Sequence, residues 1–213
     1  MMSPAVLILS IPPILLALTF HEYAHAWVAD RLGDPTARYM GRKTLNPLAH
    51  LDLLGTVMIF LVHFGWAKPV PVNPANLKNP RRDMLWISAA GPGMNMLLAA
   101  ISGLLLRWMM GHRGLSGMTG LAGQEMLQML YLSLYINLAL AVFNLIPIPP
   151  LDGSKILAGL LPPGNEGLIY FLETRGPMLL FGLVFLGMMT NIPIFGFIIT
   201  PFVRFFSYLF AGI

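Results

Sequence analysis

Two histidines and a glutamate fall within one helical turn of each other in the run His21-Glu22-Tyr23-Ala24-His25. On an α-helix the two imidazoles are separated by about 6 Å of rise and about 40° of rotation, so both reach a single metal ion. Glu22 lies roughly 100° around from His21, placed to accept a proton from a water held by that ion without ligating it. Alone, the pentapeptide is also compatible with exposed histidines or with histidines satisfied inside a core. Its surroundings weigh against that reading, because the residues from Met1 to Phe20 are apolar. A polar cluster inside a hydrophobic helix costs several kcal/mol per group unless the groups are paired or metal-bound.

Catalytic zinc generally takes three protein ligands and a water, so a third ligand has to come from elsewhere in the chain. There is no cysteine, which leaves histidine or carboxylate. Asp152 is the leading candidate. It follows Asn144-Leu145-Ile146-Pro147-Ile148-Pro149-Pro150-Leu151, where three prolines prevent a regular helix and Gly153 allows a close backbone approach or a positive φ. Irregular backbone at membrane depth is tolerated only against protein or a water-filled cavity. The alternative makes Asp152 an N-cap for a helical piece starting near Ser154. Asp30, Asp34 and Asp52 compete less well, since they stand at segment ends without such an enforced break.

The elements that must position these groups are membrane segments. Of 213 residues, 56% are hydrophobic and only 10% charged, against about 25% charged in a soluble domain. The expected fold class is an all-α polytopic membrane protein forming one domain over residues 1–213, with about six segments. A first helix from Ala5 to Leu32, read as a retained membrane helix and not a cleaved leader, ends at Gly33-Asp34-Pro35. A basic loop runs from Arg31 to Pro47, and Leu51 to Phe64 forms a shorter apolar stretch that reaches only part-way across a bilayer, with Asp52 as a possible cap. Between Gly65 and Pro80 the prolines at 69, 71, 74 and 80 predict a short re-entrant or extended, β-like loop. Further helices are expected at Met84–Met110, Glu125–Ile146, Leu168–Met189 and Pro193–Phe210, with a Gly-rich connection from Gly111 to Gly123 and a short apolar piece at Ile156–Leu161.

The formal charge of +4 comes from thirteen Lys and Arg scattered over several loops. No basic stripe or recognition motif points to nucleic acid. Basic loops flanking membrane helices account for the balance, and the expected partners are the lipid bilayer and a membrane-protein substrate.

Several blocks together resemble the site-2 protease family of intramembrane metalloproteases, in its compact form without an inserted soluble domain. They are HEYAH; NPLAHLDLLGT from Asn46 to Thr56; GWAKPVPVNP from Gly65 to Pro74; GPGMN from Gly91 to Asn95; and NLIPIPPLDG from Asn144 to Gly153. They span about Phe20 to Gly153, while the last 60 or so residues match mainly in hydrophobicity. The resemblance implies Zn2+ held by His21, His25 and Asp152, with Glu22 as general base. It also supports a catalytic role for Asn144, whose amide would polarise the scissile carbonyl or stabilise the oxyanion; satisfying carbonyls freed at the helix break is the alternative. Asn137 lies seven residues before Asn144 on the same face. Asn95 either approaches the metal across a close glycine-mediated contact or satisfies a Gly-Pro kink. His50 and Asp52 resemble a block that usually has proline after the aspartate, where Leu53 stands here, so His50 is at most auxiliary.

The expected activity is hydrolysis of a peptide bond in a locally unwound membrane segment. Lys68 to Asn73 reads as an edge strand, with Lys68, Val70 and Val72 open to pair with such a substrate. A non-catalytic membrane scaffold or a metal transporter using the same His and Asp residues is the alternative, although neither needs Glu22. Substrate identity, orientation and oligomeric state do not follow from the sequence.

Overall fold

The computed structural model describes residues 4–55, 58, 65–111, 120–190 and 192–213. Its helices are α1 (Pro4–Leu32), a single turn α2 (Thr36–Tyr39), α3 (Pro80–Gly111), α4 (Leu121–Asn144), α5 (Asp152–Leu160), α6 (Glu166–Thr190) and α7 (Ile194–Ala211). Five of them, α1, α3, α4, α6 and α7, are long and apolar enough to cross a membrane. The 29 residues of α1 rise about 1.5 Å each, more than a hydrocarbon core of about 30 Å requires. Its helix passes through Pro12 and Pro13, tolerated in membranes where neighbouring groups take up the freed carbonyls.

Helix α3 is the hub, packed against α1, α4, α5 and α7. The face that α1 buries holds Ala17, Ala24, Ala26 and Ala29, together with its polar residues, and no large aliphatic side chain. Small residues let two backbones approach closely where lipid supplies no hydrophobic drive between helices. On the other side of α3, Ala99 and Leu106 pack with Leu134 and Leu138 of α4 and Val203 and Ala211 of α7. Large apolar groups elsewhere point outward, Phe181, Phe185, Phe197 and Phe205 among them, as lipid-facing surfaces do.

Five candidate spans are found among the described residues. The stretch Leu51–Phe64 falls largely outside the described residues, but its flanks are visible. Leu51 forms an isolated antiparallel bridge with Ala67, and the Lys68 N–H donates to His50 O at 2.9 Å. The chain therefore returns beside the point it left. Around that bridge, residues 65–73 form neither helix nor strand among the described residues, since Pro69 and Pro71 cannot donate to a ladder. Much of the connection after Gly111 also lies outside the described residues.

The anchors of this returning segment are polar. Fully buried Asp34, just past α1, accepts from the Thr36 N–H and hydroxyl, from the Asn73 N–H at 2.7 Å and from Asn76 Nδ2 at 2.7 Å. Arg42 donates to Lys68 O at 2.7 Å. The end of α1 and the far end of the extended segment are thus tied to one carboxylate.

Candidate metal centre

His21 and His25 project from α1 on the side facing α3, both almost fully buried, and their Nε2 atoms lie 3.0 Å apart. Asp152, the first residue of α5, brings Oδ2 to 3.1 Å from His21 Nε2 and 3.2 Å from His25 Nε2. The N-cap of α5 is Leu151, so the carboxylate is turned to the histidines and not to a capping role. The sequence cause is the proline break: α4 stops at Asn144, the turn contains a cis Pro149-Pro150 peptide, and α5 starts against the end of α4. A Cβ on Gly153 would stand 2.2 Å from Leu145 O. That contact is too short for any side chain, so the close approach expected of Gly153 is its function.

The chemistry of the donors identifies what they suit. His21 Nδ1 lies 2.6 Å from Asn95 Oδ1, and His25 Nδ1 lies 2.7 Å from Ile87 O. Both oxygens face the rings as acceptors, so each Nδ1 carries the proton and each Nε2 turns a lone pair inward. Two lone pairs and a carboxylate oxygen at mutual distances of 3.0, 3.1 and 3.2 Å repel one another unless a cation lies among them. The triangle they form has its corners about 1.8 Å from its centre. Zinc bonds of about 2.0–2.2 Å would suit a triangle of this size. The donor set therefore suits a metal with nitrogen and oxygen preference, and each histidine has the second hydrogen-bond partner that metal-ligating imidazoles normally have. Gly91 of α3 supplies the room, since a Cβ there would lie 2.4 Å from His25 Nε2 and 2.6 Å from His21 Nε2.

Glu22 is buried beside this group, and its Oε2 accepts the Val70 N–H at 2.8 Å. This contact, spanning 48 residues, was not foreseeable from either segment alone. It also corrects the edge-strand expectation: the Lys68 N–H is used by His50 O and the Val70 N–H by Glu22, so two of the three donors expected to face substrate face inward. A buried carboxylate needs a donor, and Val70 is the unsubstituted amide between two prolines.

The remaining sequence candidates separate cleanly. Asn144 donates from Nδ2 to Leu140 O at 3.0 Å, as the alternative at the helix break anticipates. Asp30 pairs with Lys43 at 2.7 Å, Asp34 ties the loop, and Asp52 accepts the Gly55 N–H at 2.8 Å; none of these three joins the His21, His25 and Asp152 cluster. His50 is fully buried with Nε2 2.8 Å from Thr44 O. At Asp34, burial works to raise the carboxyl's pKa, but the hydrogen bonds from Thr36, Asn76 and Asn73 outweigh it and hold the group below its ordinary value.

Comparison with known proteins gives a consistent picture. The family model described as Peptidase family M50 matches residues 10–188. A Bacillus subtilis (strain 168) protein named "Putative zinc metalloprotease YwhC" is 43% identical over 165 residues, covering 76% of this chain and 74% of that protein. Mycobacterium tuberculosis (strain ATCC 25618 / H37Rv) has a protein named "Putative zinc metalloprotease Rip2" that is 32% identical over 181 residues, 81% of this chain and 62% of its own length. A protein of the same name from Mycolicibacterium smegmatis (strain ATCC 700084 / mc(2)155) is 33% identical over 169 residues, 76% of this chain and 60% of its own. The chain thus spans about three quarters of the Bacillus relative and about six-tenths of the mycobacterial ones. No solved structure matches it.

Proposed function

The chain belongs to peptidase family M50, the site-2 protease family, and from that premise we propose that it is an intramembrane zinc metalloprotease cutting a membrane-protein substrate in or beside a transmembrane segment. It is an integral, multi-pass membrane protein. The observation that carries the proposal is the convergence of three possible ligand atoms from α1 and α5, with each Nδ1 facing an oxygen elsewhere. His21, His25 and Asp152 hold the zinc. When bound, it supplies a Lewis acid that polarises the scissile carbonyl and makes water nucleophilic near neutral pH.

Glu22 takes the proton as water attacks and returns it to the leaving amine. With Oε2 engaged by Val70, Oε1 is the proton acceptor. Asn144 donates its second amide proton to the carbonyl under attack, since Leu140 O occupies only one. A substrate helix hides its carbonyls in its own hydrogen bonds, so it unwinds locally before reaching the centre.

Glu22→Gln tests this reading, because it keeps the side-chain volume and the zinc ligands while removing the proton acceptor. Turnover of membrane-protein substrate in liposomes is expected to fall about 10²- to 10⁴-fold, the contribution of one positioned acid-base group, with zinc content unchanged. A scaffold or metal transporter would be indifferent to the change, so near-wild-type cleavage by the zinc-loaded variant overturns the mechanism.

A further inference from the structure

The helix face that brings Gly91 to the two imidazole nitrogens carries Asn95 one turn later, and both Asn95 and Asn137 are completely buried. Their hydrogen bonds form one directed chain. Asn137 donates from Nδ2 to Ser133 O at 2.8 Å, and its Oδ1 accepts from Asn95 Nδ2 at 2.9 Å. Asn95 gives its second Nδ2 proton to Ala17 O at 3.1 Å, which leaves Oδ1 to accept from His21 Nδ1 at 2.6 Å. Two backbone carbonyls, Ser133 O and Ala17 O, set the direction, because a carbonyl only accepts. Reversing Asn95 would place oxygen against Ala17 O and Asn137 Oδ1, and its amine against the His21 N–H. The arrangement has a single polarity.

We propose that Asn95 is a positioning residue for His21, itself oriented by Asn137 and the Ser133 carbonyl, and that this relay fixes which imidazole nitrogen faces the metal. The inference rests on the metal-centre reading above. His25 is oriented differently, by the backbone carbonyl of Ile87, so His21 is the ligand whose tautomer depends on side chains. An acceptor on the far nitrogen of a ligating histidine holds the ring and raises the basicity of the ligating nitrogen, and loss of such a partner typically lowers metal affinity 10- to 100-fold. The relay also joins α1, α3 and α4 at one level, so its two functions, holding the ligand and holding the bundle, have to be separated.

The substitutions separate them by atom. Asn95→Leu keeps the branched shape and heavy-atom count and removes acceptor and donor together. Asn95→Asp keeps the acceptor towards His21 and removes the donor towards Ala17 and Asn137. The full chain in detergent is titrated with zinc against a chromophoric chelator, with helicity and melting temperature recorded by circular dichroism. Asn95→Leu is expected to bind zinc about 10- to 100-fold more weakly, whereas Asn95→Asp, which keeps the acceptor but loses its anchor on Asn137, is expected to bind only about three- to tenfold more weakly while melting at lower temperature. The cobalt(II)-substituted Asn95→Leu protein is expected to show a shifted visible spectrum.

Wild-type zinc affinity in folded Asn95→Leu overturns the proposal, and so does equal weakening in the Asp and Leu variants, which assigns Asn95 to packing alone. Should Asn95→Leu fail to fold, Asn137→Ala decides, since it removes the anchor of Asn95 but leaves the Asn95 to His21 contact. Its affinity should fall by about threefold or more, and unchanged affinity rejects the relay. Absence of stoichiometric zinc in the wild-type protein would instead defeat the metal-centre reading, a result distinct from any of these.

Discussion

At the scale of single residues, five side chains from two distant stretches carry the proposed chemistry, and three of them form the donor triangle. Removing one corner is expected to remove the metal. Purified Asp152→Ala should contain less than stoichiometric zinc by elemental analysis while retaining its helix content, and a variant that keeps one tightly bound zinc shows the third ligand to be misassigned. His21, Glu22 and His25 were legible in the sequence because a four-residue spacing on a helix is itself a geometric statement. Asp152 was legible because three prolines before it forced a break where a hydrophobic helix would otherwise continue. Asn95 stands out in the GPGMN block as a residue that either approaches the metal site or satisfies a Gly-Pro kink, without a partner being named. Its bond to His21 joins residues 74 apart in sequence, and no local pattern specifies such a pairing.

At the scale of elements, the extended segment after the bridge reaches Glu22 because it is anchored at both ends, by His50 O near its start and by Asp34 beyond it. The prolines exclude a regular helix over residues 65–73, and none forms there. They did not predict which way the amides face, since that depends on buried acceptors supplied by α1 and the loop after it. Asp34→Asn tests the anchor: with a buried carboxylate's hydrogen bonds weakened, a stability loss of about 1–3 kcal/mol is expected, and misplacement of Val70 should lower turnover by up to about 10²-fold. The pH dependence has a definite sign. Because Asp34 is held below its ordinary value when folded, its contribution is complete above the unfolded carboxylate pKa of about 3.9 and disappears only as pH falls through the lower, folded value. The difference in melting temperature between wild type and Asp34→Asn should stay constant from neutral pH down to about pH 5 and narrow below pH 4. A gap that instead widens on acidification contradicts the role given to Asp34.

At the scale of the whole molecule, the joining of Leu51 to Ala67 bears on the orientation that the sequence left open, and a cytoplasmic basic face is the expected outcome. Because Leu51 pairs with Ala67 and the Lys68 N–H with His50 O, Arg31, Arg38, Arg42 and Lys43 share a face with Lys68, Lys78, Arg81 and Arg82. That face also holds the end of α1 and the start of α3, and an excess of Lys and Arg marks the cytoplasmic side. The absence of cysteine makes the test clean. A thiol introduced by Lys78→Cys should react with a membrane-impermeant maleimide in inverted vesicles and not in intact cells, while Gly120→Cys, before α4, should show the reverse. The opposite pattern assigns the basic face to the exterior.

The notch at Gly91 has a consequence for how such chains are told apart. A single methyl group at that position would intrude on the Nε2 atoms of both His21 and His25, whose rings are held by Asn95 and Ile87 and have little freedom to retreat. A relative could keep all four motif residues, fold in the same way and still be an inert look-alike, disarmed by one small atom group outside the motif. Competence in this architecture is written partly in empty space, and the residue to inspect for a silent pseudoenzyme is the glycine opposite the histidines.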